Sequence, residues 1–401
     1  MLGAIYIGLS GMNAYSKGLQ TISNNVANLN TPGFKSTSVS FTDVFQQGGG
    51  GLSYLGGGLT HQSGAGVRFG APSINFGQGD VRQTEGDLDL AIQGSGFLVL
   101  LDGDKTFYAR TGSFVVGSDG YIVQDGTQNR LAVLDASGQA VPLNLDAKRT
   151  SAPTVTTTVK FADNLSSSAG TGGTATDATV SNVTIYDASG GKQVWTLTFK
   201  PTTSGGLTTW DITIKDQNGA EIVSSITPLK LRFLSGAVVD PSTEKLTVPG
   251  ADIVLDFSSN VTNFSGGSTS TIRAASVDGN GVGALTTVSV DDQGRIKLAY
   301  SNSKTEELAH IALADFRNPQ DLERVGSGLF ELKGDDRPPL RRSEQDGVGK
   351  LLSKQLEASN VDLSQEFGDL ILIQRGFQAS SQVVSVSNDM IQQLFGIRGQ
   401  G

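Results

Sequence analysis

The sequence predicts a mainly β protein with an α-helix at each terminus. The helices form a coiled-coil layer, a discontinuous β domain follows them, and a second β domain, an antiparallel sandwich or barrel, is inserted into the first. Three observations lead there: a heptad pattern at each end, short alternating strands punctuated by Asp-Gly turns, and a central change of composition towards Thr and Ser.

The C-terminal pattern runs from Val361 to Arg398, with no proline. Leu363, Phe367, Leu370, Phe377, Val384, Ile391 and Phe395 recur at spacings that follow a count of three and four, and Gln374, Ser381 and Asn388 fill the intervening slots. At 1.5 Å per residue such a helix is roughly 50 Å long, more than one subunit readily covers. The N-terminal pattern is Leu2, Ile5, Leu9, Met12, Leu19 and Val26, with Ser16 and Ser23 in the polar slots, and Thr31-Pro32-Gly33 stops it. Lys17 is the one charged side chain between Met1 and Phe34, so this helix lacks the charged outer face of a solvated one. Each helix is expected to pack on the other and on further copies of the chain, and both to be unfolded in an isolated subunit.

The expected boundaries are 1–35 and 360–401 for the terminal helical layer, 36–70 for a glycine-rich connector, 71–142 and 285–359 for the discontinuous β domain, and 143–284 for the inserted domain. In the β domain, turns are expected at Asp102-Gly103, Asp119-Gly120 and Asp125-Gly126. Stretch 319–330, PQDLERVGSGLF, reads as a short helical turn or loop. In the insert, TVTTTVKF, VSNVTIYD, WTLTFK, TTWDITIKD and DIVLDF alternate cleanly, as strands with one buried face do.

Composition excludes several functions. A net charge of −9 offers no basic footprint for nucleic acid. No apolar run is long enough to span a bilayer, so no membrane insertion is expected. Without cysteine there is no disulfide, thiolate nucleophile or Cys-ligated metal. His61 lies in the glycine-rich stretch and His310 in an apolar run, and neither reads as a metal ligand. Gly94-Ser95-Gly96 is followed by a strand rather than a helix, so a dinucleotide site fails. Asp87 and Asp89 alternate with leucines and read as two solvated side chains rather than a glycosidase pair. The N-terminus lacks a basic n-region and a cleavage site, so export, if it occurs, is expected to be uncleaved. No catalytic residue, cofactor or metal is expected. A secreted β-rich adhesin or sugar-binding protein accounts for the middle of the chain but not for the two terminal heptads.

Four blocks resemble the bacterial flagellar rod and hook axial proteins, and among them the hook proteins most. The first is Ser23 to Lys35, with Asn24, Asn25, Ala27, Asn28, Thr31, Gly33 and Phe34. The second is Leu88 to Ile92 with Gly94, Gly96 and Phe97. The third is Tyr108, Arg110, Gly112 and Phe114 with Asp119 to Tyr121. The last is Ser359 to Leu363, including Asn360, Val361 and Asp362, with Glu366, Phe367, Gln374 and Arg375. The resemblance implies a structural subunit of an extracellular hollow helical tube that joins rod to filament and transmits torque as a flexible joint. It implies as partners other copies of itself, the distal rod, the hook cap, the hook–filament junction proteins and the export apparatus. A distal-rod-like subunit is the alternative within the family. Phe161 to Leu165, Val183 to Asp187 and Ile311 to Phe316 resemble hook-specific segments.

Overall fold

The computed structural model describes residues 2–46, 63–167, 175–204, 207–223, 226–241, 245–250, 252–258, 261–265, 269–334 and 337–398. His61 and the middle of the glycine-rich stretch lie outside the described residues. Helix α1 spans Leu2–Ala27 and helix α2 Leu363–Arg398; the described remainder is strands, turns and two short 3-10 turns. The chain divides into two compact units. One comprises 1–146, 288–297 and 307–401, the other 147–287 and 298–306.

The first unit holds both helices and an antiparallel sheet. Its central strand, Phe97–Asp102, pairs with Lys105–Ala109 and Arg130–Leu134, and Leu98 also opposes Leu313 from the return pass of the chain. Asp89–Gln93 lies between Thr111–Val116 and Lys350–Ser353, so strands from both halves of the sequence interleave. The stretch expected to be a short helical turn or loop begins as one, with a 3-10 turn at Pro319–Asp321, but the rest forms a hairpin: Leu322–Gly326 pairs with Leu329–Leu332. Apolar Leu322, Leu329 and Phe330 are buried by this pairing, and that outweighs the turn-forming Gly-Ser-Gly between the strands. An aromatic cluster fills the core, with Phe97 against Phe316 at 5.3 Å, Tyr108 against Phe316 at 4.8 Å and Phe76 against Phe330 at 5.3 Å between ring centroids.

Asp89 is not solvated. The strand Asp89–Gln93 is covered on both faces, and the Asp89 carboxylate accepts from the Ser113 hydroxyl. Alternation along the sequence misleads here because it assumes one wet face. Asp87 stays at the surface, 2.7 Å from Lys354 Nζ.

The second unit is a sandwich rather than a closed barrel. One sheet runs in the order Ala178–Tyr186, Lys192–Ser204, Leu207–Lys215, Leu229–Leu234, Ala237–Asp240, antiparallel throughout. In the other, Thr158–Asn164 pairs antiparallel with Arg273–Val277 but parallel with Ile253–Asp256 and Val261–Thr262. Parallel pairing needs a long crossover, and the whole first sheet lies in the chain between Asn164 and Ile253. Inward residues of both sheets, including Phe161, Phe199, Trp210, Ile212, Leu255 and Phe257, form one core.

Candidate functional site

Helices α1 and α2 pack antiparallel, and small residues let them approach. Gly8 faces Val384, Gly11 faces Ser380, Gly18 faces Ile373, and Gly376 of α2 faces the Tyr15 ring. A Cβ at Gly18 would lie 2.8 Å from Ile373 Cδ1, and one at Gly376 2.4 Å from Tyr15 Cζ, so neither position has room for alanine at this spacing. Glycine inside a helix costs about 1 kcal/mol relative to alanine. Here it permits a contact that larger residues would prevent.

The packed stripe of α1 is therefore Gly8, Gly11, Tyr15, Gly18, Ile22 and Asn25. It is one position towards the N-terminus from the predicted seam. Ile5, Met12, Leu19 and Val26 flank the contact half-buried, and Leu9 is 57% exposed; Leu2 opens the helix. On α2, Glu366, Ile373 and Ser387 are buried, and Leu370, Val384 and Ile391 are half-buried. Leu363, Phe367, Phe377 and Phe395 remain exposed, as do Ile371, Leu372, Val383, Val386 and Met390, which the predicted seam does not include. The sequence carried a signal for the inner stripe: Gly8, Gly11 and Gly18 keep the same count of three and four.

The hairpin Phe41–Gln46 with Ser63–Phe69 covers another side of α1. Phe41 sits 5.2 Å from the Tyr15 ring, and the Val67 amide donates to Ser10 Oγ at 3.3 Å.

A polar clasp holds the base of the helical pair. Asn25 Nδ2 donates to Glu366 Oε1 at 2.8 Å and to the Thr37 carbonyl at 2.9 Å, and Asn25 Oδ1 accepts from the Thr37 amide at 3.0 Å. Burial pushes the Glu366 carboxyl up, the hydrogen bond from Asn25 opposes this, and the nearby charges of Asp369 and Asp362 add to the rise. Asn360 accepts from the Ser36 amide at 2.7 Å and donates to the carbonyls of Asn75 and Gly77. Asn28 donates to the Asn24 carbonyl and accepts from the Thr31 hydroxyl, which closes the turn after α1; Ala27 is the last helical residue. Asp362 caps α2 by accepting the Ser364 amide at 2.8 Å, and Val361 beside it is buried.

Below the clasp lies a buried ion cluster. Lys35 Nζ is 2.5 Å from Glu357 Oε1 and donates to the Gly77 carbonyl at 2.8 Å; neither charged side chain has exposed surface. Arg110 Nε is 3.6 Å from Glu357 Oε2, and its guanidinium donates to the carbonyls of Gly94 and Gly96. Burial pulls the Lys35 and Arg110 pKa values down, and Glu357 opposes it in both. Gly33, at φ +70°, donates its amide to the Glu357 carbonyl at 2.8 Å; a Cβ there would meet Thr111 Cγ2 at 2.8 Å. Phe34 is buried under the Arg324 guanidinium, 4.3 Å from its ring centre. The cluster thus ties together the segment after α1, the strand before α2, and the β sheet. Sequence reading missed Glu357, because a lone glutamate at the end of a three-residue strand carries no pattern.

Among the described residues there is no cluster of His, Asp and Glu able to hold a metal, and no helix long and apolar enough to cross a membrane. His310 ends a strand, its Nδ1 3.3 Å from the Gln293 carbonyl.

Comparison with known proteins matches both ends of the chain to flagellar families. Residues 5–35, α1 and the turn after it, match the family described as Flagella basal body rod protein. Residues 352–397, most of α2 and the strand before it, match the Flagellar basal body rod FlgEFG protein C-terminal family. The flagellar hook protein FlgE of Treponema pallidum is 26% identical, covering 99% of this chain and all of that protein. FlgE of Borreliella burgdorferi is 27% identical over 98% of this chain and 99% of that protein, and FlgE of Escherichia coli 29% over 97% and 98%. The crystal structure of Helicobacter pylori flagellar hook protein FlgE2 aligns with a TM-score of 0.47 at 15% identity, covering 69% of this chain and all of that one. Signature segments at both ends and similarity along the whole length agree: the chain resembles the flagellar hook proteins from end to end and carries rod and hook axial segments at both termini.

Proposed function

We propose that this chain is a structural subunit of the bacterial flagellar hook, polymerising into a hollow helical tube that passes torque from rod to filament through a bend. The observation that carries this reading is the helical pair itself. Its inner stripe is satisfied within one chain, while Leu9, Phe367, Ile371, Leu372 and Phe395 stay uncovered on its outer faces. Apolar rows of this kind on adjacent helices are burial surfaces for neighbouring copies. Hook naming of relatives that align end to end supports the same role. The subunit has no catalytic duty in this reading. Residues 143–284 form its outward domain, whose Thr- and Ser-bearing sheet faces slide on neighbours at low cost. The distal rod, hook cap, junction proteins and export apparatus are its proposed neighbours, and the outside of the cell its place.

The test is removal of residues 1–35 and 360–401, with assembly followed by sedimentation. The full chain is expected to form tubes and the truncated chain to stay monomeric. Material drawn from cells is expected to show short curved tubes under negative stain; straight rods, or polymer from the truncated chain, overturn the reading.

A further inference from the structure

The hairpin and α1 enclose a groove of about 340 Å³ lined by Tyr6, Asn13, Lys17, Val44, Val67 and Arg68. Two cations stand in it. Lys17 is the one charged residue of α1, and Arg68 comes from the hairpin; neither has an acidic partner among the described residues. The floor is apolar, with Val44 and Val67 half-buried. A groove with an apolar floor and two unpaired positive charges on its wall fits an apolar ridge that carries one negative charge.

Helix α2 carries such a ridge. Val383, Val386 and Met390 are 45%, 46% and 46% exposed, and Asp389 is exposed beside them. Asp389 is the one acidic residue of α2 beyond Asp369, and it too has no cationic partner among the described residues. Within one chain the two sets cannot meet. Gly8 faces Val384 in the antiparallel pair, which puts Asp389 level with the start of α1. Lys17 is then about 22 Å away along the helix, at 1.5 Å per residue.

We propose that the groove receives the Val386–Met390 ridge of a second copy, with Asp389 of that copy set between Lys17 and Arg68. This rests on the hook-subunit reading and names the contact it uses. Groove and ridge are different surfaces, so the contact is heterologous, and repeated it generates an open helical filament rather than a closed dimer. If the helices of the two copies run parallel, they are offset by about 22 Å along the helix direction. The apolar ridge supplies the affinity, and the charges fix the offset, since sliding by one turn leaves all three unpaired.

Charge reversal in the full-length chain tests it. Asp389→Lys alone, and Lys17→Glu with Arg68→Glu, are each expected to cut the sedimenting fraction at least tenfold while helical circular dichroism is unchanged. The chain carrying all three reversals is expected to recover polymer. Because the native chain has no cysteine, a second readout is clean: Asn13→Cys chains mixed with Val386→Cys chains under an added oxidant are expected to give the mixed disulfide dimer. Polymer that ignores the Asp389 reversal or the Lys17 and Arg68 pair of reversals, a triple reversal that fails to recover, or absence of the mixed dimer in formed polymer overturns this contact while leaving the hook reading intact. Failure of the unmodified chain to polymerise overturns both.

Discussion

In the sandwich, Phe161, Phe199 and Trp210 have no exposed surface, whereas in the helical pair Phe367 is 52%, Leu372 69% and Phe395 70% exposed. Both regions are built from the same apolar residue types. The sandwich encloses them between two sheets of its own chain, so its core is complete in one molecule. Where the helices touch, a glycine on one side meets Val384, Ser380, Ile373 or Tyr15 on the other, which brings the backbones close while Phe367, Leu372 and Phe395 stay outside the contact. In the proposed assembly the exposed apolar side chains are the ones that neighbouring copies cover.

With the helices paired within one chain, rather than unfolded in the isolated subunit as the heptads alone suggest, the two regions can be followed separately. Trp195 and Trp210 are the only tryptophans and both sit in the sandwich core, so fluorescence reports that region, and helical circular dichroism reports the pair. The largest expected effects are paired. Phe199→Ala should lower the fluorescence-detected stability by about 3–5 kcal/mol in urea and leave the helical signal's midpoint in place. Glu357→Ala should do the reverse, because it strands the buried Lys35 and Arg110; the expected loss is about 3–5 kcal/mol in the helical transition. If both probes move together in either variant, the two regions are not independent and the comparison fails.

Gly376→Ala comes next. Its Cβ would overlap the Tyr15 ring, so the ring or the helices must shift, at about 1–3 kcal/mol in the helical transition. A stabilised pair would show that glycine serves there only as a weak helix former.

Acid should act on the two regions with opposite sign. Burial pushes the Asp278 carboxyl up, but hydrogen bonds from the Thr157 hydroxyl and the Thr157 and Thr158 amides outweigh it and hold the pKa low. Its contribution is present above the ordinary aspartate value and is lost as pH falls through the lowered one. Glu366, raised by burial, contributes below the ordinary glutamate value and loses that as pH rises through the raised one. Asp278→Asn should therefore flatten the acid loss of the sandwich, and Glu366→Gln the alkaline-side loss of the pair, each read as urea midpoint against pH.

The smallest effect on stability should have a large effect on assembly. Leu372→Ser changes an exposed side chain and should alter monomer stability by under about 0.5 kcal/mol. It should nonetheless reduce the sedimenting polymer, and unaltered polymer would show that this face is not used.

Much of this was legible from residue order. The heptads announced two helices because periodicity is a local property of the chain, and the Thr/Ser alternation announced the sandwich strands for the same reason. The seam shows where such reading stops. Counting apolar residues finds Leu9, Met12, Leu19 and Val26, yet the face that meets α2 is Gly8, Gly11, Gly18 and Asn25. Hydrophobicity marks what is to be buried somewhere; it does not say against which surface, and between close helices the smallest residues win the contact. Asp89 failed for a related reason, since alternation cannot reveal that both faces of its strand are covered.

The sequence by itself determined where the two helices run, most of the strands and the Asp-Gly turns, though not the hairpin at 322–332, and which family the signature blocks resemble, because each depends on neighbours a few positions apart. The tertiary structure alone decided that Lys35, Arg110 and Glu357 share one dry cluster, that Thr158–Asn164 pairs in parallel with Ile253–Asp256, and that Lys17 and Arg68 face one groove. Those are meetings of residues far apart in the chain, and they are set by how whole elements pack, which no local pattern encodes.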